Sequence, residues 1–256
     1  MTNRTSSVLI TGATSGIGRE LLGLCYDQGF QVIAHGRSEL KLSTLVDQFP
    51  GVQTVLCDLA DLGAVEQMMD GVLATHPAIS LVINNAAVQM PGMITQSACN
   101  SCDADREMAI NFLAPLCICH AVMSRLAKQH GMLAGGNAKD RIRIVNVSSG
   151  LAFFPKTGSA VYCASKAALH SLSQSLRYQI SEAGLPIAIS EVFLPVVDTP
   201  MTKGRDMRKI SALQAASEIW DGITENRDEI FVGKARWIPV LNRVSPALMK
   251  SILRRG

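Results

Sequence analysis

The turn Thr11-Gly12-Ala13-Thr14-Ser15-Gly16-Ile17-Gly18 constrains this chain more than any other segment. It follows an apolar run that reads as a strand over 7–11 and opens a segment that reads as a helix over 16–28. Glycine, lacking a Cβ, lets the backbone turn tightly and approach a ligand closely. A helix N-terminus just beyond such a turn presents unpaired N–H groups and the positive end of the helix dipole, which together hold a pyrophosphate. The gap between Gly12 and Gly16 is wider than in G-x-G-x-x-G, so the setting between strand and helix carries the reading.

The remaining pattern alternates short Val/Ile/Leu-rich runs with longer helical stretches. Strands are expected near 31–36, 52–57, 80–84, 141–148, 187–194 and 230–233. Helices are expected near 38–49, 61–75, 103–130, 160–183 and 212–225. The strands show little in–out alternation, as strands buried on both faces should. This predicts an α/β fold, a doubly wound, Rossmann-like parallel sheet of seven strands with helices on both faces. Glu191 breaks the apolar run of the sixth strand and is expected in a salt bridge or at an exposed position ahead of a catalytic role.

At 256 residues, with 48% hydrophobic and 18% charged residues, the chain has material for one large core. Residues 1–256 are expected to form a single domain, with a substrate lid at about 199–212 and a C-terminal extension at about 236–256. The polar, charged stretch after Pro200 follows a strand on the ligand-binding side, which suits a lid. The extension mixes Trp237, Ile238, Leu241 and Leu248 with Lys and Arg; packing on the domain is expected ahead of a membrane surface or subunit contact. Gly131 to Lys139 reads as a short loop.

A net charge of +3 is too mild for nucleic acid, and no apolar run approaches the ~20 residues that cross a bilayer. The polar start, Met1 to Ser7, leaves no room for a signal peptide. Seven cysteines, an odd number, fit a reducing cytoplasm better than a disulfide framework. Cys99-Asn100-Ser101-Cys102 has a metal-like spacing, but no second pair or His-x-x-x-His completes a site, so no metal is expected. Cys117 and Cys119 read as core residues, and Cys163 as a neighbour of Tyr162 with possible sensitivity to oxidation.

Tyr162 and Lys166, four apart, share one face of a helix, with Ser149 thirteen residues before the Tyr. An ammonium about 4 Å from a phenol, at an effective dielectric near 20, stabilises the phenolate by roughly 4 kcal/mol. That equals about 3 pKa units, enough to bring a Tyr toward the range of a general acid/base. At the end of the second strand, where an acidic residue would bind a ribose 2′-OH, the chain has Gly36, then Arg37 and Ser38. A guanidinium grips a 2′-phosphate through charge-assisted bonds, so NADP(H) is expected ahead of NAD(H). His35 either joins that pocket or is a satisfied strand-end residue.

These residues resemble the short-chain dehydrogenase/reductase family over about 7–200. The resemblance implies that Gly12, Thr14, Ser15, Gly16, Ile17 and Gly18 bind the cofactor, with Asp58 and Leu59 on the adenine side. The family's Asn-Asn-Ala-Gly stretch is similar to Asn84-Asn85-Ala86-Ala87, which puts Asn85, Ala86 and Ala87 at the cofactor. The family's active-site Asn falls on Asn111, implied to hold a relay water. On its own that residue would be a helix-surface polar side chain. The family's Ser falls on Ser149 ahead of its competitor Ser148. Tyr162 and Lys166 complete the implied catalytic set and are also implied to bind the cofactor, Lys166 at the nicotinamide ribose.

After the sixth strand Leu194-Pro195 stands where the family has Pro-Gly, so Pro195, Val197 and Thr199 are implied to border the nicotinamide. This variant, with the ending from Val232-Gly233 through Pro246, is similar to a bacterial subgroup of oxidoreductases named after the D-alanine transfer operon. The resemblance implies hydride transfer between NADP(H) and a small carbonyl or alcohol substrate, in a homodimer or homotetramer. Two other readings are a 3-oxoacyl-thioester reductase, whose acidic carrier would meet Lys203, Arg205, Arg208 and Lys209, and an NADPH-binding regulator without chemistry.

Overall fold

A computed structural model describes residues 6–96, 101–130 and 141–244. The chain runs β1 (Ser7–Ile10), α1 (Gly16–Asp27), β2 (Gln31–Gly36), α2 (Glu39–Gln48), β3 (Gln53–Leu56), α3 (Leu62–Thr75) and β4 (Ile79–Asn84). Then come α4 (Ser101–Met108), a π-helical turn (Ala109–Leu113), α5 (Ala114–His130), β5 (Ile142–Ser149), α6 (Ala160–Ala183) and β6 (Ile187–Leu194). Two short strands, β7 (Val197–Asp198) and β8 (Ile210–Ser211), precede α7 (Ala212–Thr224), β9 (Glu229–Phe231) and α8 (Ile238–Val244).

Seven strands form one parallel sheet in the order β3-β2-β1-β4-β5-β6-β9. The expected fold class is therefore the observed one, and the order reverses between β1 and β4, where such sheets open a ligand crevice. β1 is buried along its whole length, consistent with its unbroken apolar run. Ile10, Ile83 and Val145 pack under α1, α2 and α7, whereas Leu9, Val82 and Ile144 pack under α3, α5 and α6.

Several elements differ from expectation. The long helix expected at 103–130 is interrupted by the π turn that contains Asn111. The stretch 238–244, read as part of a tail, is a helix whose Ile238 packs against Phe154 and Phe193. The expected lid is tied down. β7 and β8 pair in parallel, Thr202 Oγ1 donates to Val197 O at 2.5 Å, and Lys209 Nζ donates to Thr202 O at 2.7 Å. Contrary to the reading of apolar runs, the helical span Asp103–Lys128 contains an 18-residue window of mean hydropathy 1.4 and is long and apolar enough to cross a membrane by length and composition. It is instead partly a core helix, with 44% of that window buried and α5 packed on α3. The loop 131–139, the pair Cys99 and Cys102, and the tail beyond Val244 lie outside the described residues or their described side chains.

Candidate active site

The glycine turn adopts the conformation its composition requires. Gly12 and Gly16 have φ of 66° and 55°, the left-handed region that side chains disfavour. Gly18 admits no side chain, since a Cβ there would lie 2.3 Å from Gly12 O. Ser15 caps α1 without a side-chain bond to the helix, and the first turn carries no acidic residue. The leading N–H groups of α1 therefore face outward with nothing anionic beside them, a fit for a dinucleotide's phosphates.

Three side chains fasten this turn. Thr11 Oγ1 accepts from Asn85 N at 2.9 Å and Ala86 N at 3.0 Å. Asn85 Nδ2 donates to Thr11 O at 2.9 Å. Gly12 N donates to His35 Nδ1 at 3.2 Å, and His35 Nε2 lies 3.0 Å from Cys57 O. Because Nδ1 accepts, Nε2 carries the proton and donates to Cys57 O. Burial pushes the His35 pKa down, against the Cys57 bond and the Asp58 charge, which push it up. His35 is thus a satisfied strand residue that holds the turn. Its role was one of two left open by the sequence, which carries no sign of its ring partners.

Arg37 is exposed at the end of β2, and Ser38 begins α2, its Oγ accepting from Lys41 N at 3.5 Å. Gly36 has to be glycine: a Cβ would lie 2.6 Å from Thr14 Cγ2. Asp58 is exposed and pairs with Arg106 at 3.0 Å, and Leu59 beside it is buried. Burial opposes ionisation of Asp58, but the Ala60 N–H and the Arg106 and Arg37 charges outweigh it and hold the carboxyl below its usual range. Thr199 lies against the glycine turn, since a Cβ on Gly16 would fall 3.0 Å from Thr199 Cγ2. Ala87 follows Ala86 beside the turn, Val197 is buried, and Pro195 begins the segment leading to β7.

Ser149, Tyr162 and Lys166 come together where β5 ends against α6. All three are buried, with the Ser149 hydroxyl near enough to act on the Tyr162 phenol. The Lys166 ammonium lies 5.7 Å from the centre of the Tyr162 ring. It donates to Val147 O at 2.8 Å. Burial, rather than Lys166, is the largest influence on the Tyr162 pKa in this arrangement. Burial pushes the phenol up to about 12, with the Ser149 hydrogen bond pulling it down and the Cys163 and Glu107 charges adding to the rise. Burial likewise brings Lys166 down to about 8, against the charges of Glu191 and Glu107. One of the three ammonium N–H groups is thus engaged by a strand carbonyl, and helical spacing gave no sign of that partner.

Asn111 is fully buried, not on a helix surface. Its Oδ1 accepts from Val88 N at 2.9 Å, and its Nδ2 donates to Val88 O at 2.8 Å and Ser165 Oγ at 3.2 Å. The side chain pairs like a strand residue with the segment after β4, and the π turn displaces the helix there. Glu107, buried four residues earlier, accepts from Met90 N at 3.1 Å and anchors the same segment. The sequence reading missed Glu107, whose only signal is an acidic residue one helical turn before Asn111.

The segment expected as a lid reaches toward the start of α6. Arg205 Nη2 donates to Gln89 Oε1 at 2.5 Å, and Gln89 Nε2 donates to Ser159 Oγ at 3.0 Å, three residues before Tyr162. Cys163 is buried, and burial pushes its thiol pKa up. Among the described residues no cluster of His, Cys, Asp and Glu could hold a metal ion.

The family model described as short chain dehydrogenase matches residues 6–209. "Uncharacterized oxidoreductase DltE" of Bacillus subtilis (strain 168) is 35% identical over 236 residues, 90% of this chain and 88% of the relative. It bears out the resemblance to oxidoreductases of the D-alanine transfer operon. L-xylulose reductase of Bos taurus is 34% identical over 196 residues, 75% of this chain and 72% of the relative. A solved short chain dehydrogenase from Burkholderia cenocepacia J2315 in complex with NADP shares the fold, with TM-score 0.82 at 23% identity and 100% of both chains covered. The glycine turn, the parallel sheet and the sequence matches converge, and this chain belongs to the short-chain dehydrogenase family.

Proposed function

We propose that this chain is an NADP(H)-dependent oxidoreductase that moves hydride between a nicotinamide and a small carbonyl or secondary alcohol, with Tyr162 as general acid/base. The observation that carries this reading is the buried group Ser149, Tyr162 and Lys166 at the carboxyl ends of the strands. The glycine turn, with its left-handed backbone and uncapped α1, suits the dinucleotide's phosphates, and exposed Arg37 suits a 2′-phosphate. When bound, the nicotinamide supplies the hydride.

The protein's share is placement and proton control. Ser149 and Tyr162 hydroxyls orient the carbonyl oxygen and meet the charge that develops on it. A phenol whose pKa is pushed up to about 12 stays protonated at neutral pH, which suits it to donate during carbonyl reduction. Lys166 supplies a positive charge beside the ring, and Asn111 locks the segment after β4 onto α6 through Val88 and Ser165. Pro195, Val197 and Thr199 border the nicotinamide side. Asp58 and Leu59 take the adenine side.

A small free substrate is favoured over a carrier-bound thioester. Arg205 turns inward to Gln89, and Lys209 is engaged by Thr202 O and Asp198, so two of the four cations considered for carrier docking are already committed. Relatives named L-xylulose reductase support a small polar ketone. We place the protein in the cytoplasm as one domain that assembles into a dimer or tetramer.

Tyr162→Phe decides the mechanism. NADPH consumption against a panel of aldehydes, ketones and diketones should be abolished, with NADPH binding retained. Turnover at the wild-type rate in the purified variant would refute it, and binding without turnover by the wild type would instead favour a regulator.

A further inference from the structure

A charge lies deeper in the fold than the proposed chemistry requires. Glu191 sits in the middle of β6 with no solvent exposure, paired in register with Asn146 of β5 and facing α6. His170 Nδ1 donates to its Oε2 at 2.9 Å. Its Oε1 has no hydrogen-bond partner among the described residues, and neither has Ser148 Oγ, a buried hydroxyl two residues beyond Asn146 on the same face of β5. A buried carboxylate satisfied on one oxygen alone costs several kcal/mol unless a positive charge lies close by.

The nearest elements say which charge that is. Tyr162, Lys166 and His170 recur every fourth residue on α6 and so share one face. Lys166 is the middle member, buried, its ammonium held by Val147 O on the strand next to Glu191. His170 is the outermost member, with 28% of its side chain exposed and its ring against Phe153 and Phe193 at 4.8 and 5.4 Å.

We propose that Glu191 is a positioning residue: its carboxylate is the buried counter-ion of the Lys166 ammonium, and His170, gripping the other oxygen from the surface, sets how much of that charge Lys166 feels. The proposal rests on the reading of Lys166 as the cation beside Tyr162. The charges that act on Lys166 are those of Glu191 on β6 and Glu107 on α4, with the Tyr162 ring 5.7 Å away. Those facing His170 are Glu191, Glu229 of β9 and Arg177 of α6.

The sign follows from this arrangement. Burial draws Lys166 down to about 8, and Glu191 opposes that pull. The Glu191 bond raises the His170 pKa, burial and Arg177 working the other way. Below the His170 titration the imidazolium shares the carboxylate's charge and Lys166 is held less firmly. Above it, neutral His170 leaves that charge to Lys166. Lys166 therefore binds its proton more tightly when His170 is neutral than when it is the imidazolium, and the pair acts as a surface-coupled bias on the active-site cation.

The test reads Lys166 itself, independently of turnover. With 13C at the lysine Cε positions, the Lys166 signal is identified by its loss in Lys166→Arg and titrated by NMR. Glu191→Gln should lower its apparent pKa by about one unit or more, and Glu191→Asp should restore most of the shift. His170→Asn, at a partly exposed site, tests the same idea if Glu191→Gln does not fold. The small inflection in the wild-type Lys166 curve at the His170 titration should vanish in that variant. A folded Glu191→Gln protein whose Lys166 titrates as in wild type, or a wild-type curve without the inflection, would overturn the proposal. Absence of turnover in every protein, wild type included, would count against the proposed function and leave this titration to decide the role of Glu191.

Discussion

Gly18→Ala adds one methyl group where the dinucleotide turn meets α1. The new Cβ would sit 2.3 Å from Gly12 O, 2.5 Å from Asn85 Nδ2 and 2.9 Å from the Gly12 carbonyl carbon. Carbon–oxygen contacts settle near 3.3 Å, so the turn and the helix have to part by about 1 Å. The turn cannot yield freely, because Gly12 is tied to His35 and Thr11 is tied to Asn85 and Ala86. Overpacking of this kind costs about 1–3 kcal/mol, and a strained Asn85 bond adds about 1 kcal/mol. The higher helix propensity of Ala returns at most about 1 kcal/mol. The net expectation is a loss of about 1–3 kcal/mol in urea unfolding. NADPH binding followed by fluorescence should weaken about tenfold or more, because the N–H groups that face the phosphates move with the helix.

Gly71→Ala is the control. A Cβ at that exposed position of α3 meets nothing within 4 Å, so the substitution should stabilise by about 0.5–1 kcal/mol and leave binding alone. If Gly18→Ala proves as stable as wild type and binds NADPH within a factor of about two, the account of the turn is wrong.

Arg37→Ala should weaken NADPH binding about tenfold or more with little effect on NADH, as measured by titrating both. Gly36→Asp should not create an NADH enzyme, because its Cβ would lie 2.6 Å from Thr14 Cγ2; a clean switch to NADH would refute that packing argument. His35 is buried neutral with its pKa lowered, so its contribution to stability is full above the ordinary His value and declines as pH falls below it toward the folded pKa. His35→Gln should remove part of that acid-side slope in unfolding experiments; an unchanged slope would exclude His35 as its source. For His170, whose pKa is raised, the sign reverses: stability is full below the ordinary value and is lost as pH rises through the folded pKa, and His170→Asn should flatten that loss.

Much of the molecule was legible from local pattern. Unbroken apolar runs announced buried parallel strands because a strand covered on both faces has no wet side to record. The glycine turn was legible because backbone conformations with positive φ admit few residue types, and a helix start admits an anion through its own N–H groups. Arg37 stood out because its position follows the end of β2 directly. In each case the physical cause lies within a few residues of chain.

What the tertiary structure alone decided concerns partners that are distant in sequence. The sequence places Lys166 one helical turn from Tyr162, but only the sheet brings Val147 O to accept its proton and the core to raise the phenol. Asn111 reads as a surface residue until the π turn and Val88 enclose it. Glu191 reads as a blemish in an apolar strand until α6 delivers His170 to it, with Lys166 one turn away on the same helix face. Spacing along a chain specifies which groups share a face. Burial and long-range pairing set their protonation, because the dielectric and the neighbouring charges come from elements brought together only by folding.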